Sequence, residues 1–154
     1  MAPSHHDHCH EHIEGDPKAM LRASGLKVTK PRLALLEILT EEHGPFTTEE
    51  LHARIPTSHA AAPCDLVTIY RCLAKFEALG LISRCDFGDG LIRYELRSKI
   101  HHHHIICRIC RRAEPLPQCP VEDQSIRKLK LGFRDVFHRL EFFGVCPECH
   151  AHST

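Results

Sequence analysis

The chain has 154 residues, a net charge of zero and a hydrophobic content of 42%, enough for one ordinary domain or two small ones. No apolar run reaches the roughly 18 residues a membrane span requires, and no basic segment followed by an apolar one marks a secretory leader. A cytoplasmic protein is expected, in which nine cysteines point to metal rather than disulfides. Charge balance excludes nucleic-acid binding by bulk basicity, since residues 17–96 hold ten Lys/Arg against ten Asp/Glu; any DNA affinity must come from a local arrangement.

Residues 1–16 carry His5, His6, His8, Cys9, His10 and His12 with almost no apolar side chains. Such a tail buries too little to offset the entropy of ordering and is expected to be disordered without metal. Residues 17–80 read as helices. Pro17 opens a short helix that stops near Gly25. Thr29-Lys30-Pro31 places a cap before a proline in the first turn, where its missing N–H costs little. Leu33, Leu36, Ile38 and Leu39 supply an apolar stripe until Gly44-Pro45. Thr47 or Thr48 starts a third helix, with Glu49 and Glu50 placed for a capping interaction, and it ends before Pro56.

A loop over 56–63 leads to Asp65, the expected N-cap of a fourth helix. Its apolar face is Leu66, Ile69, Leu73, Phe76 and Leu79, Gly80 closes it, and Tyr70, Arg71 and Lys75 occupy the opposite side. Two strands follow, Leu81–Arg84 and Leu91–Leu96, joined by a Gly88-Asp89-Gly90 turn. Helices followed by this hairpin describe a winged helix-turn-helix over 17–96.

Composition shifts at 97–100, read as a hinge, and residues 101–154 form a second, small α/β domain suited to self-association. In it His101–Cys107 is expected to be extended, 115–120 a connection, Val121–Leu131 a helix, and Phe133–Val145 a strand with Val136, His138, Leu140 and Phe142 on one face. The fold class is therefore α+β. Cys107/Cys110 and Cys146/Cys149 are two Cys-x-x-Cys pairs, the spacing of a closed tetrathiolate zinc site that staples distant segments and has no position open to substrate. His102 and His104, two apart on a strand, share one face, and His101 and His103 share the other.

The chain resembles the ferric uptake regulator family of metal-responsive repressors. The resemblance rests on Gly25-Leu26-Lys27-Val28-Thr29 with Arg32, on Thr68-Ile69-Tyr70-Arg71 and Arg93-Tyr94-Glu95-Leu96, and on His101 to Cys107 with Cys110. It continues from His138 through Glu141-Phe142-Phe143-Gly144 to Cys146-Pro147 and Cys149. It implies an N-terminal winged helix that binds double-stranded operator DNA as a homodimer, an A·T-rich inverted repeat being expected, and a C-terminal dimerisation domain.

It also implies structural Zn²⁺ at Cys107, Cys110, Cys146 and Cys149, and a regulatory site for Zn²⁺ or Fe²⁺ on Glu95, His102 and His104. Where the family places a histidine before the third helix this chain has Pro45. His43, Cys64 and Cys85 then compete for a fourth ligand, the last two against a role as small buried hydrophobes. An additional site is expected on His101, His103, Glu122 and His138, with a satisfied core histidine as the rival for His138. Tyr70 and Arg71 are expected at base edges, with Lys27, Arg32 and Lys75 at the backbone or a groove edge.

The function expected is a metal-dependent repressor of metal uptake genes, zinc-responsive in the first place and iron(II)-responsive in the second. A zinc hydrolase would need an open metal position beside a general base, and no His-Glu-x-x-His helix or nucleophile motif is present. A metal store or chaperone built on the tail would bind several weak equivalents and ignore DNA.

Overall fold

The computed structural model describes residues 15–42, 44–55, 64–98, 102–116, 132–134 and 138–152. The chain divides at residue 100 into two units.

In the first unit, α1 (Pro17–Ala23) begins at Asp16, whose carboxylate accepts from the Lys18 N–H. Helix α2 (Lys30–Glu41) starts at Thr29; the threonine stands at the N-cap position but its side chain makes no cap hydrogen bond, so the proline in the first turn is the local start signal. Strand β1 (Phe46–Thr47) runs directly into α3 (Thr48–Arg54). Thr47 and Glu50 close a reciprocal capping box, with Glu50 N–H to Thr47 Oγ1 at 3.1 Å and Thr47 N–H to Glu50 Oε2 at 2.7 Å. Asp65 caps α4 (Leu66–Ala78) through the Thr68 N–H at 2.7 Å. Gly80 ends α4 at φ 69°, a left-handed turn in which a Cβ would also meet the Arg97 guanidinium.

Strands β2 (Ile82–Asp86) and β3 (Ile92–Leu96) form the expected hairpin, and β1 adds to its far edge in the order β1-β3-β2. A two-residue strand has no periodicity to betray it, which is why the sequence offered no sign of β1. One apolar cluster fills this unit: Leu21, Leu35, Leu36, Leu39, Leu51, Ile69, Leu73 and Phe76 are among its buried members, with Ile82 and Leu96 contributed by the sheet. The wing turn is organised around an ion pair. Arg93 donates to Asp89 at 2.8 and 3.1 Å with both side chains almost fully buried, and the guanidinium lies over the Phe87 ring.

In the second unit, β4 (His103–Cys107) is central, antiparallel to β5 (Ala113–Leu116) and parallel to β6 (Glu141–Gly144). A short helix α5 (Pro147–Ala151) follows Cys146. Two expectations need correction. Pro115 does not end the structure; it lies in β5, an edge strand, where a missing N–H can face away from the ladder. The strand expected over Phe133–Val145 is, in its described part, confined to Glu141–Gly144, so His138 precedes the strand instead of lying on its face. The helix expected at Val121–Leu131 falls outside the described residues.

Candidate metal centres and DNA-reading helix

The two Cys-x-x-Cys segments occupy matching positions at one end of the second sheet. Cys107 ends β4, and the chain turns back tightly through Arg111, whose φ is 64°; Arg111 N–H donates to Cys107 O at 3.0 Å and Cys107 N–H to Arg112 O at 2.8 Å. Cys110 thereby stands on the turn. Parallel pairing sets Gly144 beside Cys107, which delivers Cys146 to the same place, and α5 carries Cys149 back.

The four Sγ atoms lie within 4.8 Å of one another, and Cys110 and Cys146 are 3.8 Å apart. A tetrahedron with zinc–sulfur distances of about 2.3 Å has edges of about 3.8 Å, so these residues fit the ion. Backbone donors prepare the site: the Cys146 N–H points at Cys107 Sγ from 3.4 Å. That bond, with further donors from Cys110 and Ile109, lowers the Cys107 thiol to about 6. Cys149 is pushed the other way, to about 12, first by its hydrogen bond with the Cys146 sulfur and then by burial. Four adjacent thiols cannot all ionise without a cation among them. Arg112 spans the two knuckles, pairing with Glu148 at 3.1 Å and with Glu114 at 3.0 Å.

The histidine run divides by strand parity. His102 and His104 share a face, their ring centroids 4.9 Å apart. His103 is 2% exposed and its Nδ1 lies 3.0 Å from Leu140 O. A carbonyl accepts only, so Nδ1 carries the proton and Nε2 presents a lone pair in the neutral ring. Burial, chiefly, holds His103 below the ordinary imidazole value. Its Nε2 is 3.1 Å from His138 Nε2, close to the roughly 3.3 Å edge of a zinc tetrahedron with nitrogen ligands. The pair is served equally by a proton shared between the rings or by one cation between them. His101 and Glu122, expected beside them, fall outside the described residues.

In the first unit, Glu95 lies on β3. Of the residues competing for a fourth regulatory ligand, His43 falls outside the described residues. Cys64 packs against the apolar cluster, with burial raising its thiol. Cys85 sits on β2 next to β3. Cys72 is a member of the apolar cluster.

The DNA-reading candidates stand on or near α4. Ile69, Cys72, Leu73 and Phe76 face the core, leaving Tyr70, Arg71 and Lys75 exposed. Tyr70 is 49% exposed and its hydroxyl donates to Glu49 Oε1 on α3 at 3.3 Å. Sequence reasoning offers Glu49 only as a capping candidate, because only the crossing of α3 and α4 makes it Tyr70's neighbour. Lys27 is exposed in the loop before α2, and Arg32 donates to its carbonyl at 3.0 Å. Arg32 thus has a structural task, holding the Lys27 loop. Among the described residues no helix is long and apolar enough to cross a membrane.

Known proteins agree with this architecture. Residues 23–143 match the ferric uptake regulator family. The ferric uptake regulation protein of Cupriavidus metallidurans is 37% identical over 133 residues, covering 84% of this chain and 91% of its own. The crystal structure of the Vibrio cholerae ferric uptake regulator superposes with a TM-score of 0.71 at 30% identity, covering 85% of this chain and all of that one. A zinc-bound manganese uptake regulator gives the same TM-score and identity over 86% of this chain and 99% of its own, so the likeness does not single out one metal. The chain belongs to the ferric uptake regulator family of metal-responsive transcriptional regulators, which bind DNA as dimers and are not enzymes.

Proposed function

We propose that this protein is a homodimeric cytoplasmic repressor whose operator affinity is switched on by Zn²⁺ in the control of metal uptake genes. The observation that supports it most directly is the separation of donor sets. Four cysteines form a cluster that fits a closed tetrathiolate zinc site, while the rings of His102, just before β4, and His104, within it, meet apart from those sulfurs.

Glu95, His102 and His104 are assigned as donors to the regulatory ion. Glu95 belongs to the winged-helix unit and the histidines to the other. Shared ligation by them favours one orientation of the DNA-binding heads over others, a population shift whose size is set by differential affinity. A divalent ion supplies the charge that lets a carboxylate and two imidazoles converge. His101, His103, Glu122 and His138 are assigned to an additional site.

On DNA, Arg71 pairs with a guanine edge and the Tyr70 ring packs on thymine methyls. Lys27, Arg32 and Lys75 set the register through phosphates or a groove edge. The operator is an A·T-rich inverted repeat that mirrors the dimer.

An iron(II)-responsive repressor is the second reading, favoured by the carboxylate of Glu95, a hard donor. Fluorescence anisotropy of a labelled A·T-rich inverted repeat, against buffered Zn²⁺ and, anaerobically, Fe²⁺, separates the two. Binding driven by low free Zn²⁺ is expected; a response to Fe²⁺ alone would select the iron reading. His104→Ala should abolish the metal response while leaving the tetrathiolate zinc and the dimer intact. Operator binding by that variant equal to metal-loaded wild type would overturn the regulatory assignment.

A further inference from the structure

A large side chain on the outer face of a helix ordinarily moves among rotamers, and fixing it when a partner arrives costs free energy. Tyr70 stands on such a face, 49% exposed. Its hydroxyl is nonetheless anchored, donating to Glu49 Oε1 on α3 at 3.3 Å. A charged acceptor makes this a stronger bond than a neutral one would.

The two carboxylates at the start of α3 divide their tasks. Glu50 serves its own helix, accepting from the Thr47 N–H at 2.7 Å in the capping box. Glu49, about 100° around the helix from it, is exposed and reaches α4 instead. Both ends of this link stand on fixed backbone. The capping box and the pairing of β1 with β3 set the start of α3, and the Asp65 cap sets the start of α4. Leu51 of α3 and Ile69 and Leu73 of α4 share one apolar cluster.

An acid in the first turn of a helix gains from the macrodipole wherever its side chain points. That gain does not call for a phenol as partner. Beside a face that meets a polyanion, a carboxylate also carries a repulsive cost. Its contact with Tyr70 supplies a reason for its presence there.

We propose that Glu49 is a positioning residue for base reading: by accepting the Tyr70 hydroxyl it holds the phenol ring in the orientation that meets thymine methyls. The inference rests on the base-reading role given above to Tyr70. A pinned ring discriminates, because a base without the methyl leaves its apolar surface uncovered. An unpinned ring turns to other contacts and discriminates less. Thymine preference then belongs to a pair of residues, one on each of two packed helices.

The test uses the full chain, loaded with whichever of Zn²⁺ or Fe²⁺ switches on binding, and a duplex that it selects from a random pool. The same duplex with deoxyuridine in place of every thymidine lacks only the methyls. Wild type should prefer the thymine form by roughly fourfold for each methyl the ring covers, the contribution of one buried methyl group. Tyr70→Ala defines the part of that preference due to the ring. Glu49→Ala and Tyr70→Phe should each remove most of that part, and the double variant no more than either alone. Glu49→Gln, whose amide oxygen still accepts the hydroxyl, should keep it. Tyr70→Phe breaks the same bond from the other side, so the result does not hang on α3 tolerating alanine. Glu49→Ala with the wild-type preference would overturn the inference, as would losses that add in the double variant. Tighter binding of both duplexes by the same factor in Glu49→Ala would leave only a repulsive surface charge, and overturn it too. Tyr70→Ala is the separate control: if it keeps the full thymine preference, the base-reading role of Tyr70 itself falls.

Discussion

The two halves of the chain are held together by different physics. The winged-helix unit has a continuous apolar core to which all four helices and both hairpin strands contribute. In the second unit, the described buried side chains are Ile106, Cys107 and Ala113 with His103 and His104, while Ile105, Ile109, Phe133, Phe142, Phe143 and Val145 are exposed. One unit closes over its own hydrophobic surface. Among the described residues, the other leaves most of its large apolar side chains exposed and buries the Cys107 thiol and two imidazoles beside Ile106 and Ala113, a pattern that suits a small unit supplemented by metal and a second copy.

The strongest way to break this contrast is to remove the metal. Chelation, or Cys110→Ser, should unfold the second unit and abolish dimerisation, because structural zinc contributes apparent binding energies of about 10–16 kcal/mol to folding. The winged helix should remain folded by circular dichroism and limited proteolysis. Loss of both units together would show that the first does not stand on its own core.

A smaller effect of opposite location is expected from Phe76→Ala. Phe76 is fully buried in the first unit, and truncation should cost about 3–5 kcal/mol. Thermal unfolding should show that loss in the winged-helix transition alone, with zinc content unchanged.

Mild acid sharpens the comparison with the smallest change. The value of His103 is depressed in the folded state, mainly by burial, so the unfolded chain takes up a proton more readily. Stability from this group is present above the ordinary imidazole value near 6.5 and is lost as pH falls below it, by at most about 1.4 kcal/mol per pH unit. Asp65 has the opposite sign of group and the same direction of effect: the backbone N–H of Thr68 lowers its carboxyl, and its contribution is lost only below the ordinary carboxylate value. Between about pH 6.5 and 4, protein that holds its tetrathiolate zinc but no other metal should therefore weaken in its second unit first. Hydrogen exchange resolved by unit would show it, and a simultaneous loss would contradict the assignment.

The same contrast explains what could be read from the sequence. The helices of the first unit were legible because their start and stop signals are local: the Thr47–Glu50 capping box, Asp65 before α4 and Gly80 after it. The Cys-x-x-Cys pairs were legible for a similar reason, since each pair is one local turn. What failed was non-local. Strand β1 exists only because Phe46 and Thr47 meet Tyr94 and Arg93, and β5 passes through a proline that reads as a break until its edge position is known. His138 was expected on a strand, and its approach to His103 depends on backbone 35 residues away. Cys64 and Cys85 could not be told apart from sequence because the difference is hairpin register, one residue of which would turn Cys85 to the other face.

The parallel pairing of β4 with β6 has a consequence in time. The Cys107–Cys110 turn and the β4–β5 hairpin are contacts between near neighbours, formed in microseconds. Cys110 and Cys146 are 36 residues apart, and a parallel partner must be recruited across that whole span before it gains anything from the ladder. During refolding the first dithiol is therefore waiting, already shaped, when the second is still searching. An ion captured there would be held by Cys107 and Cys110 until Cys146 and Cys149 arrive to complete the set. Zinc bound early would then set the rate at which the second unit matures, and refolding should speed up with metal supply.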